Sequence, residues 1–536
     1  MIKIAPMVKP KIAVFSGPSA TIANSPPLVT SNKGRLPGDR VIPGEYDHLV
    51  AQILYEPVTL KIKKFSAHPL EEDASEVYHD NGKDYYEVTL KPEDGPYLLP
   101  YMARRTDGSG NGVPFEASDL ENRTMNFGGR QGFYPDASRM FLEINRTISG
   151  RSDDGEGSIL DTKADFDFIR ANPPGGYTKK GEVSGVNFFP YKPYAIAKST
   201  RPLDLARTAN AVQKAFATGN YSGGIWLEGS PHVEESIYWL SLMIDTNLPI
   251  CGNASQRPHG QLANDGDRNL VDSVELITSG KGNGIGAVGV QDQVIYAARE
   301  FKKSDDRPGN YKATGGHGGI LGTVKAGITI WYKPAYKHTS TSDVNLTKLP
   351  TNVEFIDKVG DTKTTSLQIK NADGTLRGEI IPRVRIVKYS GYNQEDHTEN
   401  PDQEVDIMAR IKKGLDDERD QDPNRSKLHG FVYEGSSPYA KGSKSQQKAL
   451  EIAALSGMPV VRVGRSDPGG RVTTDPKDLT IEGSNMDTIK ARLLLIASML
   501  KLGRLPKVND PRNPTAAERQ AVVDRIAVFQ EIFETH

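Results

Sequence analysis

From about residue 200 the chain alternates short apolar runs with amphipathic stretches, and that order admits few folds. PLDLARTANAVQKAFA (202–217) has helical spacing, and SGGIWLEG (222–229) reads as a strand. EESIYWLSLMID (234–245) is helical again, while LPICGNA (248–254) and GNGIGAVGV (282–290) read as strands. Upstream, KIAVFSG (11–17) is a β-rich run closed by Ser-Gly-Pro-Ser, as expected of a first buried strand. Apolar strands separated by helices of about 10–15 residues predict an α/β fold with a doubly wound, mostly parallel sheet. Ligands in such a sheet sit beyond the carboxyl ends of the strands. The loops after 11–17, 222–229 and 248–254 should therefore converge on one crevice.

The alternation resumes after a Gly/Pro/Ser/Thr-rich connection at about 315–350: IPRVRIVKYSG (381–391), a helix near 403–413, LHGFVYEGS (428–436), a helix near 444–456 and MPVVRVGRS (458–466). Two amphipathic helices, 489–503 and 516–534, close the sequence. Between about 35 and 195 the texture differs, being rich in Gly, Pro, Asp and charge with short alternating runs such as VTLKIKKF and YYEVTL. We read that stretch as an irregular β-containing insertion. The expected organisation is a large α/β domain over 1–330 holding the insertion, a linker at 331–350, and a smaller α/β domain over 351–536. A length of 536 residues supports this, because single cores stop growing well before that size.

Composition narrows the function classes. Lys plus Arg total 67 and Asp plus Glu 68, so no net field favours nucleic acid or an anionic membrane. A single cysteine, Cys251, excludes an internal disulfide framework and a Cys-rich zinc site. The ten histidines show no HExxH spacing, and the glycines of GKGNGIGAVG lack the following helix that a dinucleotide fingerprint requires. No metal or cofactor is expected. The opening MIKIAPMVKPKIAVF reads as no signal peptide, and no apolar run approaches the roughly 18 residues of a bilayer span. A cytoplasmic protein is the expectation.

One junction stands out, GGIWLEGSPHVEES (223–236), where a strand meets a helix. Serine is a favoured N-cap and proline a favoured first helical residue, so Ser230-Pro231 reads as a helix start, with Glu234 and Glu235 complementing the dipole. A helix start facing a crevice also presents N–H groups to an anion or a developing oxyanion. Lys303, in REFKKSDD, reads either as part of a solvated charge run or as a base whose pKa a desolvated site could lower.

Several loops resemble the L-asparaginase/glutaminase family of threonine amidohydrolases. SATIAN (19–24) is similar to the family's first motif, GSPHVEES (229–236) to its Gly-Thr-Asp-Thr-x-Glu-Glu, and GNASQRPHGQLANDGDRNL (252–270) to the stretch that follows. AAREFKKSDD (297–306) resembles Arg-Asp-x-x-Lys, KHTSTSDVNLTKLP (337–350) the interdomain link, and IKARLLL (489–495) a helix of the last domain. The resemblance implies Thr21 as nucleophile, Ser230 and Lys303 as its proton relay with Lys302 as the adjacent competitor, and substrate contacts from Gly229 and Glu234. It puts Ser199 and Thr200 at the substrate-carboxylate loop, while Asp265 braces its own loop. His232 replaces a small family residue and is either a substrate contact or a surface histidine.

The departures are informative. The family's double glycine is Ser19-Ala20, no tyrosine follows Thr21 within about ten residues, and the Thr-Asp pair is Ser230-Pro231. In the family that aspartate binds the substrate's α-amino group and pairs with the lysine; proline does neither. The expectation is an amidohydrolase that cleaves a linear carboxamide through an acyl-enzyme on Thr21, with L-asparagine and L-glutamine as poor substrates. Two alternatives stand beside it: a lapsed binding or scaffold protein, and an ammonia-supplying amidotransferase subunit. The resemblance also implies a homo-oligomer, dimer or tetramer, with EGSSPYAKGS (434–443) as the loop lent to a neighbour's site.

Overall fold

The computed structural model describes residues 10–17, 164, 201–254, 256, 265–307, 309–325, 327–392, 397–420, 422, 426–465 and 478–536, plus isolated strands between 28 and 170. Strand β1 (Lys11–Ser16) opens the main sheet. Five short strands follow: β2 (Leu28–Val29), β3 (Leu49–Gln52), β4 (Val58–Lys63), β5 (Tyr85–Leu90) and β6 (Tyr97–Pro100). They pair as a three-stranded sheet β2-β4-β5 and a ribbon β3-β6, so VTLKIKKF and YYEVTL do supply strands to the region between 35 and 195. Strand β7 (Asp165–Arg170) lies in the same region but joins the main sheet, parallel to β1 from Lys11↔Asp165 to Ser16↔Arg170.

Helix α1 (Pro202–Ala217), strand β8 (Gly223–Leu227), helix α2 (Val233–Met243), strand β9 (Ile250–Asn253), helix α3 (Gly266–Thr278) and strand β10 (Ala287–Gln291) continue the winding. Strands β7, β1, β8, β9 and β10 run parallel. The sheet then turns antiparallel through β11 (Val294–Ala297), giving way to a separate hairpin of β12 (Phe301–Lys303) and β13 (Tyr311–Ala313). It ends on β14 (Ile320–Thr323) and β15 (Thr329–Ile330), in the order β15-β14-β11-β10-β9-β8-β1-β7. The stretch expected to be a connection from 315 thus begins with two strands of this sheet.

Alternation along the strands explains why both faces are covered. Ala13 and Phe15 enter one apolar cluster with Ala209, Val212, Ile237 and Trp239 from α1 and α2, while Ile12 and Val14 enter the other with Leu270, Val274 and Ile277 from α3. A strand buried on both faces has to read as a continuous apolar run, as IAVF does.

Strands β16 (Asn352–Ile356) and β17 (Thr364–Gln368) form a hairpin ahead of the second parallel sheet. That sheet comprises β18 (Arg383–Lys388), β19 (His429–Gly435), β20 (Val460–Gly464) and β21 (Ile481–Glu482), with helices α4 (Val405–Arg419) and α5 (Lys444–Leu455) between strands. Helix α6 (Thr488–Leu502) starts on Asp487, whose carboxylate accepts the N–H groups of Ile489 and Lys490 at 3.0 and 2.9 Å. Helix α7 (Ala516–Thr535) starts in a reciprocal cap between Thr515 and Glu518. Leu493, Leu494, Ile496 and Leu500 of α6 belong to the same apolar cluster as α1 and α2, so the two sheets share one core.

The carboxyl ends of β1, β8 and β9 adjoin. The Gly17 N–H donates to the Leu227 carbonyl at 2.8 Å and the Glu228 N–H to the Asn253 carbonyl at 3.0 Å. Gly17 is required by close approach, because a Cβ there would fall 2.0 Å from the Glu228 carboxylate.

Candidate active site

Leaving β8, the chain passes through Glu228, Gly229, Ser230 and Pro231 before α2 begins at Val233. The residue at the N-cap is His232, which makes no side-chain cap, so the reading of Ser230-Pro231 as N-cap and first helical residue is corrected. The reason lies in competition for the serine oxygen. Ser230 Oγ accepts hydrogen bonds from Tyr311 Oη at 2.8 Å and Gln256 Nε2 at 3.2 Å, both from distant segments. The first helical N–H groups turn instead to main-chain oxygens: Val233 donates to Gly229 and Glu234 to Pro231, each at 3.0 Å.

Lys303 ends β12, directly across the hairpin from Tyr311. Its ammonium nitrogen donates to Gln256 Oε1 at 2.5 Å and to the Arg307 carbonyl at 2.6 Å, and lies 5.5 Å from the Tyr311 ring centroid. Ser230 and Lys303 are thus brought to one place but joined through the Gln256 amide, which accepts from the amine and donates to the hydroxyl. The expected Ser–Lys pair is a three-membered chain. Lys302, alternating to the other side of β12, pairs with Asp487 at 3.3 Å.

Three surroundings hold this chain in place. Asp265 accepts the Gln256 N–H at 3.0 and 3.2 Å and the Gln291 side-chain amide at 2.9 Å, fixing the Gln256 backbone just past β9. The Phe301 and Tyr311 rings stack at 4.5 Å and 15°. Burial keeps the Tyr311 phenol protonated far above its ordinary range, against the lowering pull of its bonds to Ser230 and Gln256. The Glu234 carboxylate receives the Lys303 main-chain N–H at 2.6 Å, tying β12 to α2. Burial raises the Glu234 pKa, and Lys490 and that N–H oppose the rise.

Beneath lies a buried ionic layer. Lys490 of α6 donates to the carbonyls of Glu234 and, at 2.8 Å, Ala298, with its nitrogen 5.2 Å from the Tyr238 ring centroid. Burial lowers the Lys490 pKa, and Glu234, Asp487, Glu235 and Glu300 act against that. Burial raises Asp487, but Lys490 and Lys302 outweigh it and leave the carboxyl below its ordinary range.

His232 is exposed and lines a separate cavity of about 500 Å³ with Glu228, Glu235, Ser236, Arg201, Arg383 and Arg492 among others. Gly229 is buried at the turn. Thr21, Ser199 and Thr200 lie outside the described residues. Among the described residues no group of three or more His, Cys, Asp or Glu side chains could hold a metal, and no helix is long and apolar enough to cross a membrane.

Two site residues escaped the sequence reading, Gln256 and Tyr311. Gln256 stood inside a quoted motif, just before Arg257-Pro258, without a role. Tyr311 had a usable signal: a Pro308-Gly309 turn between FKK and YKA marks a hairpin that sets Lys303 opposite Tyr311.

Residues 193–335 match the family model for the asparaginase N-terminal domain. The chain is 30% identical over 148 residues to the glutaminase-asparaginase of Acinetobacter glutaminasificans, covering 27% of this chain and 43% of that protein. To L-asparaginase 2 of Bacillus subtilis it is 24% identical over 315 residues, covering 58% of this chain and 67% of that one. Among solved structures, a probable cytoplasmic L-asparaginase from Campylobacter jejuni aligns with a TM-score of 0.47 and 19% identity, covering 70% of this chain and 90% of that one.

Proposed function

Because this chain is a divergent relative of the asparaginases, with the family's N-terminal domain matched over 193–335, we propose that it is an amidohydrolase acting on the C–N bond of a linear carboxamide. The observation that carries this reading is that Ser230 and Gln256, just past the carboxyl ends of the adjacent parallel strands β8 and β9, meet Lys303 from the hairpin β12-β13, with the Gln256 side chain joining the other two. A hydroxyl is a poor nucleophile at neutral pH and needs a neighbouring base. In the reaction we propose, the Thr21 oxygen bonds to the amide carbon, its proton passes to the Lys303–Ser230 relay, and the C–N bond breaks as the relay protonates the departing nitrogen. Water then attacks the resulting ester, releasing the carboxylic acid and restoring Thr21. Main-chain N–H groups at the crevice would stabilise the oxyanion.

Pro231 carries no charge to hold an α-ammonium, so an amide without one is the better substrate. The test is ammonia release from L-asparagine, L-glutamine and succinamate by the natural protein, Thr21→Ala and Lys303→Met. Each substitution should lower the rate by about a thousandfold or more while the melting temperature holds, as befits groups acting in the chemical step. Succinamate should be turned over faster than L-asparagine. Near-natural rates in either variant would overturn the mechanism. Proline at 231 in place of the family's aspartate also fits a lapsed binding protein, which predicts no ammonia from any amide. An amidotransferase subunit would co-purify with a stable partner.

We place the protein in the cytoplasm and expect a homo-oligomer. The loop 434–443, braced by the Ser436 N–H on the Lys441 carbonyl at 2.9 Å, presents Tyr439 at 68% exposure, a fit for contact with a second copy. Sedimentation velocity that finds only monomer would overturn that assignment.

A further inference from the structure

We infer that Gln256 is a positioning residue that holds Lys303 to Ser230 through a neutral amide; this rests on the amidohydrolase reading above. Three observations carry it. The amide is the shared partner, accepting from Lys303 Nζ at 2.5 Å and donating to Ser230 Oγ at 3.2 Å. Its oxygen also takes the Gly309 N–H at 2.5 Å, so the amide orientation is dictated: oxygen toward two donors, nitrogen toward the serine. Its backbone is clamped by the buried Asp265, which Gln291 orients in turn.

The chemistry of an amide differs from that of a carboxylate in this position. A carboxylate against Lys303 Nζ would stabilise the ammonium form and hold the proton there. The amide directs the nitrogen while adding no net charge. The Lys303 nitrogen donates to the Gln256 amide oxygen and to the Arg307 carbonyl, both neutral acceptors. Ser230 accepts from both Gln256 and Tyr311, which leaves its own proton for a third group. Neither Gln256 nor Tyr311 carries charge at neutral pH. Among the described residues, ionisable groups around Lys303 are Glu234 on α2, Asp305 and Arg307 in the turn, Asp265 behind Gln256, and Lys302 beside it on β12.

The test needs one readout that does not depend on activity. The pH dependence of Lys303 acetylation by acetic anhydride, followed by mass spectrometry, reports when the amine loses its proton. Gln256→Glu keeps the shape and adds a charge; the midpoint for Lys303 should rise by about one pH unit or more. A shift below about 0.3 unit, with the protein folded, would overturn the inference, since a carboxylate in contact with the nitrogen has to move it. With succinamate as probe, Gln256→Met should lower kcat about tenfold or more and leave KM within about threefold, because Gln256 acts through the relay. If Lys303→Met abolishes ammonia release while Gln256→Met keeps the natural kcat, Gln256 is not positioning and the amidohydrolase reading survives. If no amide is hydrolysed but the acetylation midpoint shifts, the reading falls and the Gln256–Lys303 coupling stands.

Discussion

Ser230 has two donors on one oxygen, and Tyr311 is the closer of them. Tyr311→Phe removes that donor and keeps the ring stacked on Phe301. Since a typical hydrogen bond contributes about 1 kcal/mol net, stability to urea should fall by about that much and no further. On the proposed amidohydrolase reading, ammonia release should fall more, because the serine keeps only the longer bond from Gln256. A loss of several kcal/mol would mean that the phenol supports the hairpin itself. Gly435 makes the opposite demand, on space. A Cβ there would fall 2.0 Å from the Ala440 carbonyl, a main-chain atom that cannot swing away. Gly435→Ala should cost about 1–3 kcal/mol and displace the loop 434–443, which limited proteolysis would detect.

At the scale of elements, α6 couples the two halves of the molecule. Lys490 reaches from it to the carbonyls of Glu234 and Ala298, among Glu234, Asp487 and Glu300. Removing one partner of a buried ionic group leaves the rest uncompensated, so Lys490→Met should cost about 3 kcal/mol or more in a denaturant melt. Leu495, fully buried on the same helix, should cost about 2–5 kcal/mol as Leu495→Ala. The long regular elements were legible from periodicity: the helix expected over 202–217 is α1 (Pro202–Ala217), and β8, β9 and β19 fall inside their expected runs, whereas the parallel strands β7 and β21 had no expected run. The antiparallel strands β11 to β15 were not, because pieces of two to four residues carry too little alternation to stand out. Helix α3 was passed over because its first residues, GDRNL, were read only as the end of the 252–270 motif, and VDSVELIT was given no reading.

For the whole molecule, two buried histidines contribute to a loss of stability in acid. Burial pushes His536 down to about 4, although the Ile532 carbonyl and Asp343 resist. Its neutral ring takes the Asp343 N–H on Nε2 at 2.9 Å and faces the Ile532 carbonyl with Nδ1 at 3.1 Å. Burial likewise pushes His429 down to about 4, against Asp417. A folded-state pKa below the unfolded one means the unfolded chain binds more protons in between. Stability is then full above about pH 6.5 and is lost as pH falls toward the folded value, by on the order of 2–3 kcal/mol per histidine. Melts at about pH 7 and about pH 4.5 should show this, and His536→Gln should flatten the profile.

What the sequence determined by itself was the winding order, the two-sided burial of the parallel strands, and the crevice at their carboxyl ends. Those follow from local periodicity and strand chirality, which neighbouring residues encode. Only the tertiary structure decided what meets in that crevice: that Gln256 stands between Ser230 and Lys303, that Tyr311 comes across from a hairpin, and that Ser230 caps no helix. These groups come from segments as far as 81 residues apart, and no local pattern specifies which side chain reaches an oxygen first.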